Sequence, residues 1–270
     1  YEFALPLGGF GISRFILDEA LYRLAEKKGV HVLTATKAED IRFEENKFTI
    51  ITSKKRYTAK LAAGSFGKRS NMDIKWKRQG IVQKKDKLNN YIGVKYHVYY
   101  PFAKEKIALH NFNNGYCGIS NIEDGKCCLC YLTTADNLQK AGNNIREMEK
   151  TILQKNPALN EIFSAASFIY KEPVTISQIS FQKKKQIENH VLMIGDAAGM
   201  ISPLCGNGMS MAMHGSKIAF ENIRLYLQQK ISRNKMEQLY ISGWQKKFSK
   251  RLLIGRMVQR LFGGDAATSF

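Results

Sequence analysis

A run of small and special residues from position 195 to 209 holds the clearest chemistry in the sequence, G-D-A-A-G-M-I-S-P-L-C-G-N-G-M. An apolar strand at 190–194 precedes this run, so Asp196 projects a carboxylate at the carboxyl end of a strand, where α/β folds bind ligands. A carboxylate at that position accepts hydrogen bonds from sugar-type hydroxyl groups. Ala197, Ala198 and Gly199 are small enough to leave space for a flat or bulky group.

The second half of the run leads into a helix, through Pro203 and then Gly206, Asn207 and Gly208. The first N–H groups of a helix attract a phosphate or a developing negative charge. The run therefore predicts a cradle for a hydroxylated, anionic cofactor; the alternative is a strand, turn and helix in which Asp196 is a structural cap. The predicted cofactor-binding residues of this run are Gly195, Asp196, Ala197, Pro203, Gly206, Asn207, Gly208 and Met209.

Other reactive residue types give no further site. The histidines at 97, 110, 190 and 214 stand alone and are interpreted as structural, so no catalytic acid or base is assigned. Cys127 and Cys130 form a C-x-x-C inside a strand without a second pair, which favours packing over metal binding. Cys205 lies within the run at 195–209, where the need for a small side chain is enough to explain a cysteine.

Composition narrows the class of protein. The chain has 270 residues, 44% of them hydrophobic, and five cysteines, an odd number unsuited to a complete disulfide framework. No apolar run approaches the roughly 20 residues that span a bilayer, and the first residues do not form a signal peptide, so we expect a cytoplasmic protein. The net charge of +19 comes without a nucleic-acid-binding motif. We interpret it as a solvated lysine-rich surface and expect no nucleic-acid partner.

The elements that must position the run follow from periodicity. Ser13 caps a predicted helix at 15–28, which Gly29 ends, and strands are predicted at 30–36, 47–53 and 56–64. From 90 to 133, short strands with turns at 113–114 and 124–125 predict an antiparallel sheet with one partly polar face. Two helices near 143–154 and 159–166 follow, then a strand at 174–181, a helix at 208–229 and a basic helix at 234–262.

The run at 195–209 resembles the second FAD-binding motif of flavoproteins with the p-hydroxybenzoate hydroxylase fold. The glycine after G-D-A-A, at position 199, resembles the geranylgeranyl reductase branch of these proteins. The resemblance implies that Asp196 holds the ribityl chain of FAD and that 206–208 lies by the isoalloxazine ring. The segment 11–30 is similar to a family helix whose first arginine lies close to the flavin, which implies this role for Arg14. The sheet at 90–133 would then bind the substrate.

Two departures from this family stand out. The sequence has no G-x-G-x-x-G, the motif that binds the ADP pyrophosphate, so we expect an FAD-binding fold that is incomplete at its N-terminus. Either the chain is a fragment, or the missing segment lies on another polypeptide, or the protein has lost full FAD binding. In A-A-G-S-F-G-K-R-S, Phe66 stands where family hydroxylases carry an aspartate that assists nicotinamide-linked reduction. This change weakens the hydroxylase interpretation. It also leaves the electron donor open, with NAD(P)H as the candidate reductant.

The resemblance implies an α+β fold with an FAD-binding domain at 1–75 and 175–230, an antiparallel substrate-binding domain at 76–174 and a basic helical segment at 231–270. It favours a flavin-dependent oxidoreductase that transfers hydride from reduced flavin to an alkene in a hydrophobic, prenyl- or polyketide-like substrate. The alternatives are an FAD-dependent aromatic monooxygenase using NAD(P)H and O2, and a truncated, non-enzymatic binding chain. The basic helix also suggests peripheral contact with an anionic membrane, with Phe248, Leu252, Leu253, Val258, Leu261 and Phe262 inserted.

Overall fold

The computed structural model describes residues 2–6, 8–78, 90–203 and 206–261, without the side chains of 178 and 259–261. These residues form two compact units. Unit one contains 1–34, 91–178 and 261–270, and unit two contains 35–90 and 179–260. The predicted functional domains are drawn at other boundaries and stay a prediction.

Unit one begins with helix α1 (Arg14–Lys27). The Ser13 side chain accepts a hydrogen bond from the Ile16 N–H, and Gly29 has a φ of +79°, so both predicted ends are confirmed. The strand predicted at 30–36 is wrong, because these residues pair with no strand among those described. Val30, Val32 and Leu33 are 40–53% exposed. Apolar residues alone do not make a strand when no neighbouring strand accepts its hydrogen bonds.

The rest of unit one is a sheet covered by helices. Its strands are β5 (Tyr91–Tyr99), β6 (Ile107–Phe112), β7 (Gly115–Asn121), β8 (Cys127–Thr134), β9 (Ser167–Phe168) and β10 (Val174–Ile179). They lie in the order β10-β5-β8-β7-β6, with β9 beside β5, and the pairs β5–β8, β8–β7 and β7–β6 are antiparallel. The helices are α3 (Ala135–Lys140), α4 (Ile145–Thr151) and α5 (Pro157–Ala165).

Alternation along β5 decides which face of this sheet is buried. Val94 and Val98 are at most 2% exposed and pack with Met148 of α4 and Leu159 of α5, whereas Lys95 and His97 point to the other face. The predicted antiparallel sheet with one partly polar face is confirmed.

Unit two contains the remaining elements. A three-stranded antiparallel sheet consists of β1 (Ala38–Glu44), β2 (Lys47–Thr52) and β3 (Arg56–Ala59). A second small sheet consists of β4 (Ala63–Gly64), β11 (Ile187–Glu188) and β12 (Val191–Met193). The helices are α2 (Asn71–Lys75), α6 (Gly208–Leu227) and α7 (Arg233–Leu261).

The core of unit two joins these sheets to the two long helices. Phe48 of β2, Leu192 of β12, Met211 of α6 and Phe248 of α7 belong to one buried cluster. The molecule is thus an α+β protein, as predicted. Among the residues described, no helix combines the length and the apolarity needed to cross a bilayer.

Candidate functional site

Strand β12 brings Asp196 to one edge of its sheet. β12 is fully buried and runs parallel to β4, with Leu192 beside Ala63 and Met193 beside Gly64. The Ile194 N–H donates to the Gly64 carbonyl at 3.0 Å and extends this pairing to the end of both strands. Since parallel strands end at the same edge, the residues that follow β4 and β12 meet there.

The chain turns sharply at Gly195. This residue has a φ of +62°, in the left-handed region that favours glycine, and it begins a 3-10 turn over Gly195–Ala197. The Ala198 N–H donates to the Gly195 carbonyl at 2.9 Å and closes the turn. Asp196 is half-buried inside the turn, while Ala197 and Ala198 are fully buried. The turn therefore presents a carboxylate, while the two residues that follow it are buried in the core of unit two.

Side chains from outside the turn fix its backbone. Three consecutive carbonyl oxygens each accept one hydrogen bond. The donors are Lys184 Nζ to Asp196 at 3.0 Å, an Arg78 guanidinium N–H to Ala197 at 3.1 Å and Gln186 Nε2 to Ala198 at 3.1 Å. The hydroxyl of Tyr240 on α7 donates to the Met193 carbonyl just before the turn. The turn is therefore preorganised by contacts that are independent of a ligand.

Cations accumulate around the same carbonyl groups. Arg78 and Asp73 form an ion pair at 2.7 Å with side-chain exposures of only 3% and 2%, and Arg78 also donates to the Lys185 carbonyl at 2.9 Å. Burial lowers the pKa of Lys184, and burial also lowers the pKa of Lys68, whose carbonyl accepts from Lys184 at 2.6 Å. Asp73 and, at 3.6 Å, Glu188 compensate the charge of Arg78, so these cations hold the backbone carbonyl groups of the loop without adding net positive charge.

Close packing explains the small residue at 199. A methyl group there would lie 2.9 Å from the Trp244 ring of α7, which is closer than carbon atoms approach. Gly199 therefore lets α7 pack against the loop. Ala197 is also completely enclosed by protein, and its role in cofactor binding stays a prediction.

The start of α6 is open. Gly206 has a φ of +64°, and Asn207 at the N-cap makes no side-chain hydrogen bond to the first turn. Methyl groups placed on Gly206 or Gly208 would meet no atom of the described residues within 4 Å. Pro203 is exposed, and Met209 is 40% exposed; Cys205 lies outside the described residues. This arrangement allows a flat group to approach the N–H groups that begin the helix.

Arg14 and Phe66 have local partners. Arg14 begins α1 in unit one, and its guanidinium forms two 3.0 Å hydrogen bonds with Asp18 on the next turn. Its predicted place beside a flavin stays a prediction. Phe66 packs into the core of unit two, with its ring against Gly64 at the end of β4.

Sequence reasoning missed the residues that hold the turn. Lys184 and Gln186 belong to K-K-K-Q, which looks like a solvated charge run, and Arg78 is separated from Ala197 by 119 residues. The available signal is the position of these polar residues directly before an apolar strand. The contact to Arg78 has no signal in a single sequence.

The partly polar face of the unit-one sheet carries a second set of reactive groups. Lys95 and His97 of β5 lie opposite Cys130 and Cys128 of β8. A hydrogen bond from the Cys130 thiol lowers the pKa of Cys128, and burial lowers the pKa of His97. Cys127 points to the other face, so Cys127 and Cys130 do not converge on a metal. In the part of the chain that the structure describes, no three ligand residues form a metal site.

Comparison with curated proteins finds a relative that aligns with most of this chain. No family model matches the chain. It is 27% identical over 267 residues to "Conditioned medium factor receptor 1" of Dictyostelium discoideum, an alignment that covers 88% of this chain and 48% of that protein. The chain thus spans about half the length of this curated relative.

Solved structures agree on the fold. The chondrochloren halogenase CndH, from a myxobacterium and of the FAD-dependent halogenases, has a TM-score of 0.74 at 14% identity, with 97% of this chain and 62% of that chain covered. HpxO of Klebsiella pneumoniae, solved with FAD and uric acid, has a TM-score of 0.70 at 13% identity, covering 94% and 64%. PqsL of Pseudomonas aeruginosa, described as a "probable FAD-dependent monooxygenase", has a TM-score of 0.58 at 16% identity, covering 93% and 69%.

The chain therefore has the fold of FAD-dependent halogenases and monooxygenases and spans part of those structures, as the predicted fold class required. The closer resemblance to geranylgeranyl reductases and the expected N-terminal segment with its G-x-G-x-x-G stay predictions.

Proposed function

We propose that this chain is part of an FAD-dependent oxidoreductase. The observation that carries the proposal is the Gly195–Ala197 turn, which presents Asp196 at the end of β12. Lys184, Arg78 and Gln186 hold it by donating to the carbonyl groups of Asp196, Ala197 and the following Ala198. Such a preorganised carboxylate, in a fold shared with FAD-dependent enzymes, suits a cofactor with a hydroxylated chain.

The residues present fit the ribityl and ring portions of FAD. The Asp196 carboxylate has the acceptor oxygens that ribityl hydroxyl groups need. Gly206 and Gly208 have open space where larger residues would carry side chains, which suits the approach of a flat ring. The N-terminus of α6 would supply partial positive charge to a ring bound there. Bound FAD would supply hydride or electron transfer, and these residues would bind it, orient it and stabilise its reduced, anionic form.

A hydrophobic substrate fits the partly polar face of the sheet in unit one. By register, Ile107 and Leu109 of β6 share that face with Lys95 and His97 of β5, and both apolar side chains are more than half exposed. Exposed aliphatic residues on a sheet face favour apolar ligands. We propose hydride transfer to an alkene as the reaction, with NAD(P)H as the reductant.

A monooxygenase is the second candidate, and the likeness to PqsL and HpxO favours it. Against it stands Phe66, which places an aromatic ring where family hydroxylases carry a carboxylate. A carboxylate can accept a proton or a hydrogen bond and a phenyl ring cannot. The two candidates differ in their need for O2.

The experiment that tests the reaction uses the full protein loaded with FAD, NADPH and a prenyl lipid, with O2 uptake and lipid mass recorded together. A gain of two hydrogens by the lipid without O2 supports the reductase. Strictly O2-dependent turnover with addition of one oxygen atom supports the monooxygenase. Flavin that is taken up but never reduced by NADPH contradicts the proposed reductant. A protein that takes up no flavin contradicts the oxidoreductase and supports the non-enzymatic chain.

A further inference from the structure

Helix α7 buries one face in the core of unit two. Five large side chains at intervals of four residues are at most 8% exposed, namely Met236, Tyr240, Trp244, Phe248 and Leu252. Residues four apart lie on the same side of a helix. This row fixes which side of α7 faces the protein. Phe248 and Leu252, which the sequence suggested would insert into a membrane, belong to this row and are therefore core residues.

The opposite side of α7 exposes three other apolar residues. Leu253, Ile254 and Met257 are 53%, 58% and 57% exposed. They continue the same helix side as Lys246, Lys247 and Lys250, since the spacings 246-250-253-257 and 247-250-254-257 alternate between three and four residues. We call these six residues the outer α7 face. Val258 is half-buried, and the side chains of 261 and 262 lie outside the described residues.

The outer α7 face is strongly cationic. No acidic residue occurs between Glu237 and Asp265, whereas six basic residues do. Within the described ranges, no carboxylate lies within ion-pair distance of Lys246, Lys247 or Lys250. The chain carries a net charge of +19. The helix thus presents uncompensated positive charge followed by aliphatic side chains one turn further on.

We propose that the outer α7 face docks on an anionic lipid bilayer, with Leu253, Ile254 and Met257 entering the headgroup region and the lysines binding lipid phosphates and carboxylates. Charge complementarity selects an anionic partner, and the three aliphatic residues distinguish a lipid surface from nucleic acid, whose backbone offers them no apolar contact. Insertion places the helix along the membrane surface, because its other side remains packed in unit two. The proposal does not depend on flavin binding.

The test is flotation of the whole chain with vesicles of phosphatidylcholine, with or without about 30% phosphatidylserine. We expect binding to the anionic vesicles alone, and its loss in 0.5 M salt, since salt screens exposed charges. Replacing Leu253, Ile254 and Met257 together by Gln should lower partitioning about tenfold or more at unchanged charge. Replacing Lys246, Lys247 and Lys250 by Gln should lower it at least as much.

Matched controls separate this surface from general properties of the chain. The charge control replaces three exposed lysines elsewhere by Gln, namely Lys27, Lys28 and Lys104. The apolar control replaces Ile74, Met213 and Leu227 by Gln. These three side chains are 53–55% exposed, close to the exposures of the three apolar residues of the outer α7 face. Both controls should bind anionic vesicles like the unmodified chain, and circular dichroism should show every variant folded.

Several results would overturn the proposal. Equal binding to neutral vesicles would remove the role of charge, and no binding to anionic vesicles would remove the partner. An unchanged affinity of the variant in which Leu253, Ile254 and Met257 are Gln would show attraction by charge alone. Tighter binding to an RNA oligonucleotide, lost in the lysine variant but kept in the apolar one, would assign the surface to nucleic acid instead.

Discussion

Arg78 holds both the Gly195–Ala197 turn and a buried carboxylate, so replacing it by Met is a severe test of how this turn is held. The variant removes the 2.7 Å ion pair with Asp73 and the hydrogen bonds to the carbonyl groups of Lys185 and Ala197. Breaking one side of a buried ion pair costs about 3–5 kcal/mol, and each buried carbonyl left without a donor about 1–3 kcal/mol.

These effects overlap, and the apolar side chain of Met recovers part of the packing. We therefore expect the free energy of unfolding of unit two to fall by about 4–6 kcal/mol. Adding Asp73→Asn to the variant removes the more buried of the two carboxylates that Arg78 contacts, the other being Glu188 at 3.6 Å, and should restore about 1–3 kcal/mol. Arg78→Lys keeps the positive charge with fewer hydrogen-bond donors, so its free energy of unfolding should fall less than that of Arg78→Met. This milder variant keeps the prediction testable if Arg78→Met does not fold.

The assay is urea unfolding followed by tryptophan fluorescence, because both tryptophans of the chain, Trp76 and Trp244, lie in unit two. The matched control is Arg14→Met, which breaks an exposed pair with Asp18 in unit one and should leave this transition unchanged. A loss below about 1 kcal/mol for Arg78→Met, or no recovery with Asp73→Asn, would show that Arg78 does not stabilise unit two through this buried ion pair.

Three further predictions concern separate parts of the chain. Burial raises the pKa of Glu149, so the stability contributed by its protonated carboxyl group is complete below the unfolded pKa of about 4.3 and is lost as pH rises through the folded pKa. The Tm of the unmodified chain, relative to that of Glu149→Gln, should therefore fall between pH 4.5 and 7.5. Tm values that stay parallel would contradict this. Iodoacetamide should alkylate Cys128 faster at pH 7 than an ordinary thiol, and Cys130→Ala should slow it by removing the donor, whereas an unchanged rate counts against that hydrogen bond. Gly208→Val should leave the Tm unchanged and weaken flavin binding about tenfold or more, since its side chain would occupy open space beside the proposed ring; unchanged binding would move the ring elsewhere.

Local signals in the sequence predicted the elements that depend on neighbouring residues. Ser13 and Gly29 mark the ends of α1, and the alternation along β5 identifies its buried face, because capping and strand periodicity act within a few residues. The glycines before α6 likewise predicted where that helix begins.

The elements and contacts that the sequence did not predict correctly depend on residues far apart in the chain. β1 was not predicted because it carries the buried Asp40, which is compensated by Arg42 at 2.9 Å and by Lys75 of α2 at 3.0 Å. The apolar residues at 30–36 suggested a strand that has no partner among the described residues. The residues that hold the Gly195–Ala197 turn were not predicted for the same reason, since Arg78 reaches Ala197 only in the folded chain.

The most direct test of the central claim is a titration of the purified chain with FAD and with riboflavin 5′-phosphate, followed by the quenching of flavin fluorescence. Charge-assisted hydrogen bonds contribute about 1.5–3 kcal/mol, which corresponds to roughly 10- to 100-fold in affinity. We expect saturable binding of both flavins, weakened about tenfold or more by Asp196→Asn and unchanged in the exposed control Asp124→Asn. Equal affinities for the unmodified chain and Asp196→Asn, or no binding of either flavin, would contradict it.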